Sequence, residues 1–338
     1  MENEKNIETT EELEVKENEL TATEPHDKNV RLMSPTRMVL RRFFRSKLSV
    51  VGLIMIVALF LFCWVGPIVY TQWGETTQDK SGKVEYTQQP ITMVVDGKEV
   101  TFYQVVETNK TINALAKPSA EHLLGTDNFG RDIFSRAIVG ARFTLVVAAS
   151  TVLSCTAISS VLGLVSGYIG GIVDEVIMRV VDAINSFPGI LIALIIVTVM
   201  EQNNYTIVIA LCIMFIPSFT RMVRTGTLQY KNADFVKMAR IFGVSGIRLA
   251  LVHVFPNIFP LLLSSVIVGL SNAILAESSM SYLGLGIQPP APSWGRMLSE
   301  AQSIIFTAPW CALAPGMMIV LTIVGLNCIG EGVRKRFL

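Results

Sequence analysis

Few groups in this 338-residue chain are placed where they could move a proton or hold a metal. Three carboxylates, Asp182, Glu201 and Glu277, lie in or beside strongly apolar stretches, and the three histidines are His26, His122 and His253. Hydrolysis needs a nucleophile within reach of a base that a third group orients. Here the carboxylates are spread along the chain, and no apolar run holds a histidine. An intramembrane enzyme built on Asp182, Glu201 or Glu277 is therefore the distant alternative. Cys63, Cys155, Cys212, Cys311 and Cys328 all fall in or next to apolar runs without CxxC spacing, which reads as small buried hydrophobes. No metal and no bound cofactor are expected. No G-x-x-x-x-G-K-[ST] phosphate loop occurs, so the chain is not expected to grip ATP itself.

The elements that would carry these residues are membrane helices. Hydrophobic residues make up 51% of the chain, charged residues 16%, and the net charge is +1. A span takes roughly 20 apolar residues. Six are expected: Leu48–Tyr70, closed by Pro67, Tyr70 and Trp73; about Phe143–Val165; Gly189–Met200 with the turns before it; Ile207–Phe219; Leu261–Met280; and Ala308–Asn327. The third and fourth have short apolar cores and carry Pro188 and Pro217. The first run follows a hydrophilic leader and is too long for a cleavable signal core. It should remain as a helix.

The fold class is thus all-α and integral to the membrane. Residues 1–30 read as a disordered acidic tail, and 31–70 as a basic segment with the first span. Residues 71–138 form an extracytoplasmic segment ending in an interfacial helix, with β-formers flanking Asp96-Gly97 as in a type I′ hairpin. Residues 139–331 are a five-helix core with a cytoplasmic loop at 225–256, and 332–338 form a basic tail. Arg31, Arg37, Arg41, Arg42, Arg45 and Lys47 precede the first span, and Arg221 to Arg248 holds six basic residues against one acid. By the positive-inside rule both termini are cytoplasmic.

Polar groups within the spans are the candidates for a pathway or outer gate: Asn272, Glu277, Ser278 and Ser279. Glu277 lies about 27 Å of helix beyond Phe259, near the outer face. An interhelical hydrogen bond is the equal alternative for it. Arg179 and Asp182, three apart, should pair on one helix face. Gly163, Gly167 and Gly171 recur every fourth position, a spacing that lets helices approach closely.

The loop at 225–256 carries the strongest pattern. Asn232 can cap a short helix with Asp234 in its first turn. Phe235, Met238, Ala239 and Phe242 then form an apolar stripe, with Lys231, Lys237 and Arg240 off it. Gly243 allows a left-handed stop. Ser245 can cap a second short helix, which Pro256 ends. On amphipathicity alone such a unit could equally lie on anionic lipid.

This loop resembles the cytoplasmic coupling loop of ATP-binding-cassette (ABC) importer permeases, whose motif is Glu-Ala-Ala, three residues, Gly, nine residues, Ile, one residue, Leu-Pro. Lys237, Met238 and Ala239 stand at the first three positions, Gly243 at the glycine, and His253, Phe255 and Pro256 at the last three. Alanine, glycine and proline match; the glutamate does not. "HLLGTDNFGRDIFSRAIVGAR", "AILAESSMSYLGLGIQPPAPSWGRML" and "PGMMIVLTIVGLNCIGEGVR" extend the resemblance, from Pro35 onward, to the C-type subunit of the peptide and nickel permease family. The resemblance implies a six-helix type I importer permease, a non-catalytic transport subunit of the cell membrane carrying di- or oligopeptides. Nickel complexes and glutathione are the alternative cargoes. It implies a second homologous permease, an extracytoplasmic binding protein, and two ATPase subunits that use ATP and magnesium. Phe235, Lys237, Met238, Ala239, Phe242, Gly243, His253, Phe255 and Pro256 would receive the ATPase. A stand-alone secondary carrier would need inverted halves, and no convincing pair is seen.

Overall fold

The computed structural model describes residues 46–65, 78–79, 82–95, 98–109, 114–120, 122–200, 203–289 and 291–337. The acidic tail, the basic cluster from Arg31 to Arg45, Pro67, Tyr70, Trp73, the Asp96-Gly97 turn and Glu201 lie outside the described residues.

Helix α1, Lys47–Trp64, starts where Ser46 Oγ accepts the Ser49 N–H at 3.4 Å. Strands β1 (Gln78–Asp79), β2 (Gly82–Val95) and β3 (Lys98–Asn109) form an antiparallel sheet in that order. The β2–β3 register runs from Val95 opposite Lys98 to Val84 opposite Asn109.

Helix α2, Ile133–Ile169, is one uninterrupted helix of 37 residues. The interfacial helix expected before the second span is therefore not separate. Asp132 caps α2 by accepting the Ser135 N–H at 2.8 Å, and the turns of 125–132 lead straight into it. At about 1.5 Å per residue α2 is longer than the hydrocarbon layer is thick.

Helices α3 (Gly171–Asn185) and α4 (Gly189–Val199) are bent by 82° across Ser186, Phe187 and Pro188. The 11 residues of α4 are too few to cross alone. The third span is thus a broken pair, with Pro188, which lacks an N–H, at the break. Helix α5, Asn204–Lys231, passes through Pro217 without stopping, and Asn232 is its C-cap. Helix α6 (Asp234–Ile241) is followed by α7 (Gly246–Arg248). A π-helical segment, Leu249–Val254, then joins α8 (Phe255–Tyr282). Helix α9 is Trp294–Ala301 and α10 is Trp310–Phe337. Among the described residues, five helical stretches are long and apolar enough to cross a membrane, six when the bent pair counts as one span.

The core forms where α2, α5, α8 and α10 meet, around Ile138, Val152, Cys155, Phe219, Ile274 and Trp294. Its closest crossings use glycine. A Cβ on Gly163 would sit 2.7 Å from Thr220 O and Val223 Cβ of α5, and one on Gly167 2.7 Å from Thr227 Cβ. Gly171, third in that series, has open space around it and φ +58°, so its role is the turn into α3. Gly52 plays the close-packing part between α1 and α10, where a Cβ would meet Gly325 O at 2.6 Å. All five cysteines are free, four of them buried.

Candidate functional site

At one end of the bundle, α6 hangs below α5 and α8. Ala233 is its N-cap and makes no side-chain cap bond, so Asn232 does not serve as the cap. Asp234 sits in the first turn and pairs with Lys237 at 3.1 Å. Val236 is fully buried and packs with Leu164, Leu249, Val254 and Ile258, while Ala239 and Phe255 lie against the same cluster. The large apolar residues face away from it: Phe235 is 44% exposed, Met238 52%, Ile241 77% and Phe242 79%. The expected stripe therefore divides. Ala239 points inward beside Val236, and Ile241 takes its place outside.

Gly243 ends α6 with φ +77°. Its N–H reaches Arg240 O at 3.0 Å, and Val244 N–H reaches Ala239 O at 3.2 Å. Beyond it, Ser245 is the N-cap of α7 without a side-chain bond. Pro256 does not terminate the second helix. The chain widens into the π-segment and α8 continues, with Pro256 in its first turn. A widened turn before a proline relieves the clash with the preceding carbonyl. His253 lies in this segment, half-buried, and its carbonyl accepts Asn257 Nδ2 at 2.6 Å. Ile247, Leu251 and Val252 add further exposed apolar surface at the same end.

Charge braces this end from above. Arg224 of α5 grips Asp174 of α3 through both guanidinium arms at 2.6 Å, and Ser166 Oγ donates to the same carboxylate. Asp182 pairs with Arg221 at 2.6 Å, and Arg179 pairs with Glu175 at 3.4 Å. The expected Arg179–Asp182 pair is replaced because α5 offers Asp182 a cation across the groove.

The four pathway candidates of α8 fall on opposite faces. Asn272 and Ser279 are exposed, on one stripe with Val268 and Leu275. Glu277 and Ser278 are buried, Glu277 completely. Ser281 Oγ donates to Glu277 at 2.6 Å and Ser278 Oγ at 3.5 Å. Among the described residues no group of three or more His, Cys, Asp or Glu side chains comes together as a metal site.

At the far end, α9 is clamped to the start of α2. Glu300 meets Arg131 at 2.7 Å, Arg136 at 2.9 Å and Arg296 at 3.1 Å, and Asp127 meets Arg131 at 2.7 Å. Burial pushes the Glu300 carboxyl up, but the Arg136 and Arg131 guanidiniums outweigh it and hold it below the usual carboxylate range. A carboxyl depressed in the fold contributes stability above its unfolded value and loses it as pH falls through the folded value. Thermal unfolding should therefore show an acid limb below about pH 4, near the ordinary glutamate value. Glu300→Gln should flatten that limb and cost about 3 kcal/mol at neutral pH, because two buried arginines lose their shared anion. An unchanged acid limb in Glu300→Gln would refute this.

Comparison with known proteins matches residues 159–337 to the family model described as binding-protein-dependent transport system inner membrane component. Residues 34–90 match the N-terminal TM domain of oligopeptide transport permease C. The dipeptide transport system permease protein of Alkalihalophilus pseudofirmus is 33% identical over 310 residues, covering 92% of this chain and 91% of that protein. The glutathione transport system permease protein of Pectobacterium atrosepticum is 39% identical over 217 residues, 64% of this chain and 72% of its own length. The dipeptide permease of Haemophilus influenzae is 35% identical over 239 residues, 69% of this chain and 80% of that protein.

Proposed function

Because the chain belongs to the family of binding-protein-dependent transport system inner membrane components, we propose that it is one of two permease subunits through which an ATP-driven importer moves di- and oligopeptides. It is a transport subunit and not an enzyme. Two partner ATPases supply ATP and magnesium chemistry, a second homologous permease completes the pathway, and an extracytoplasmic binding protein delivers cargo. In the cell membrane the α6 end faces the cytoplasm, as its Arg and Lys content supports.

The observation that carries this reading is the apolar cap of α6. Phe235, Met238, Ile241 and Phe242 are exposed among the described residues. Lys237 and Arg240 rim them, and Val236 roots the helix in the bundle. That arrangement fits the groove of a docked subunit, with aromatic anchors inside a charged rim. A nucleotide-driven change in the ATPases would then tilt α6 and, through the π-segment, α8. Asn272 and Ser279 give α8 an uncharged polar stripe suited to peptide backbones of any side-chain charge. Glutathione is a second cargo reading, favoured by the relative named for it; the ligand that copurifies with the binding protein decides between them.

Gly243 provides the test. Valine at φ +77° costs about 1–2 kcal/mol, whereas asparagine tolerates that region. Beyond its chain neighbours, no atom of the described residues lies within 4 Å of a Cβ at this position, so the penalty is conformational and not steric. In proteoliposomes holding the whole transporter, Gly243→Val should lower peptide uptake and ATPase stimulation about tenfold. Gly243→Asn should retain most of both, and membrane insertion should be unaffected in either. Normal transport by Gly243→Val would refute the assignment.

A further inference from the structure

Glu277 is fully buried in the last third of α8, with hydroxyl side chains around its carboxylate. Ser278 and Ser281 belong to α8 itself, at 3.5 and 2.6 Å. The hydroxyl-bearing residues Thr144 of α2 and Ser293, the N-cap of α9, stand beside the carboxylate.

Three of these four hydroxyls hold a further piece of backbone. Ser281 Oγ accepts the Ile287 N–H at 3.2 Å, Thr144 Oγ1 accepts the Trp294 N–H at 3.4 Å, and Ser293 Oγ accepts the Arg296 N–H at 3.2 Å. The segment between α8 and α9 is folded tightly over this point. A Cβ on Gly295 would lie 2.3 Å from Ser278 O, and one on Gly286 1.9 Å from Ser281 Oγ. Trp294, fully buried, seals it and donates its indole N–H to Ala137 O at 2.9 Å. Beyond Trp294, Glu300 ties α9 to Arg131 and Arg136.

A buried acceptor that serves several donors is costly to lose, because each donor is left unsatisfied in low-dielectric surroundings. The stripe of Asn272 and Ser279 lies on the opposite face of the same helix, so Glu277 sits behind the proposed pathway wall and not in it.

We propose that Glu277 is a positioning residue for transport: it fastens the segment 283–301 to α8 and α2, so that movement of the pathway helix is carried to the face where the binding protein delivers cargo. The fastening follows from the Ser281 bridge between Glu277 and Ile287 and from the close packing of 293–295 on α8 and α2, and the transmission rests on the reading of α8 as a pathway helix in an importer.

The test uses the complete transporter with its binding protein, as wild type, Glu277→Leu and Glu277→Gln. Leucine fills the space without accepting hydrogen bonds; glutamine accepts and donates. Amide hydrogen exchange over 286–295 should accelerate about tenfold in Glu277→Leu, as expected for the loss of one buried anchor. Exchange over residues 255–275 should stay at the wild-type rate. ATPase stimulation by the loaded binding protein should fall about tenfold while basal ATPase is retained. Glu277→Gln should restore both readouts to within about twofold of wild type.

Unchanged exchange in Glu277→Leu overturns the anchoring role. Faster exchange with intact stimulation overturns the transmission role, and so does an equal loss of basal ATPase, which marks general destabilisation. Failure of the wild type to respond to any binding protein would instead sink the importer reading, and the exchange data would still decide the anchor.

Discussion

Phe242→Ala should weaken the grip of the permease pair on its ATPase subunits by about 2 kcal/mol, roughly thirtyfold in Kd. The ring is 79% exposed in the isolated chain and follows Ile241 on the outer side of α6. Among the described residues, little packs on the ring and so little depends on it. Truncation should therefore leave the thermal stability of the permease unchanged while dissociating the complex. Binding of purified ATPase to permease pairs in nanodiscs measures this directly. Val236→Ala gives the opposite pattern, since its side chain is buried among Leu249, Val254 and Ile258. It should lower stability by about 1 kcal/mol before it affects docking. Equal affinity for wild type and Phe242→Ala would place the docking surface elsewhere.

Gly163→Leu should damage the bundle itself, by about 3 kcal/mol, the upper range for forcing side-chain volume into a packed crossing. The atoms a Cβ would meet there include the backbone oxygen of Thr220, which cannot move aside as a side chain can. Helices α2 and α5 would have to separate along the most extensive helix contact in the chain. Expected results are a lower yield of monodisperse protein and a lower unfolding temperature. Gly171→Asn, in the same four-residue series, should be nearly silent because open space and a left-handed φ suit asparagine. If both substitutions behave alike, the close-approach account of Gly163 is wrong.

Length and hydropathy made the spans visible because a helix crossing hydrocarbon must be apolar whatever its neighbours are. The same signal could not resolve the third span, since α3 carries Asp174, Glu175, Arg179 and Asp182, and α4 is short. Only packing shows that α5 supplies the cations for Asp174 and Asp182. Helical periodicity located the apolar stripe of α6 but not which apolar side faces inward. The small residues Ala233, Val236 and Ala239 fit against the bundle, and the large ones are left outside. Gly243 was legible because a left-handed helix stop is a property of one residue. Pro256 misled because a proline ends a helix only when the preceding turn cannot widen, and here it does. For the polar residues of α8, Asn272 and Glu277 are five apart and so fall on different faces. Choosing which face is open requires the positions of α2 and α9.

The 82° break between α3 and α4 has an electrical consequence. Amides and carbonyls released from a helix within a bilayer must find water or protein. At this corner Ser186 Oγ answers Ala183 O, and the Arg221–Asp182 pair stands exposed beside it. Water entering such a notch would shorten the insulating path on that side of the subunit. The voltage across the membrane would then fall more steeply over the dry layer that remains beside this corner.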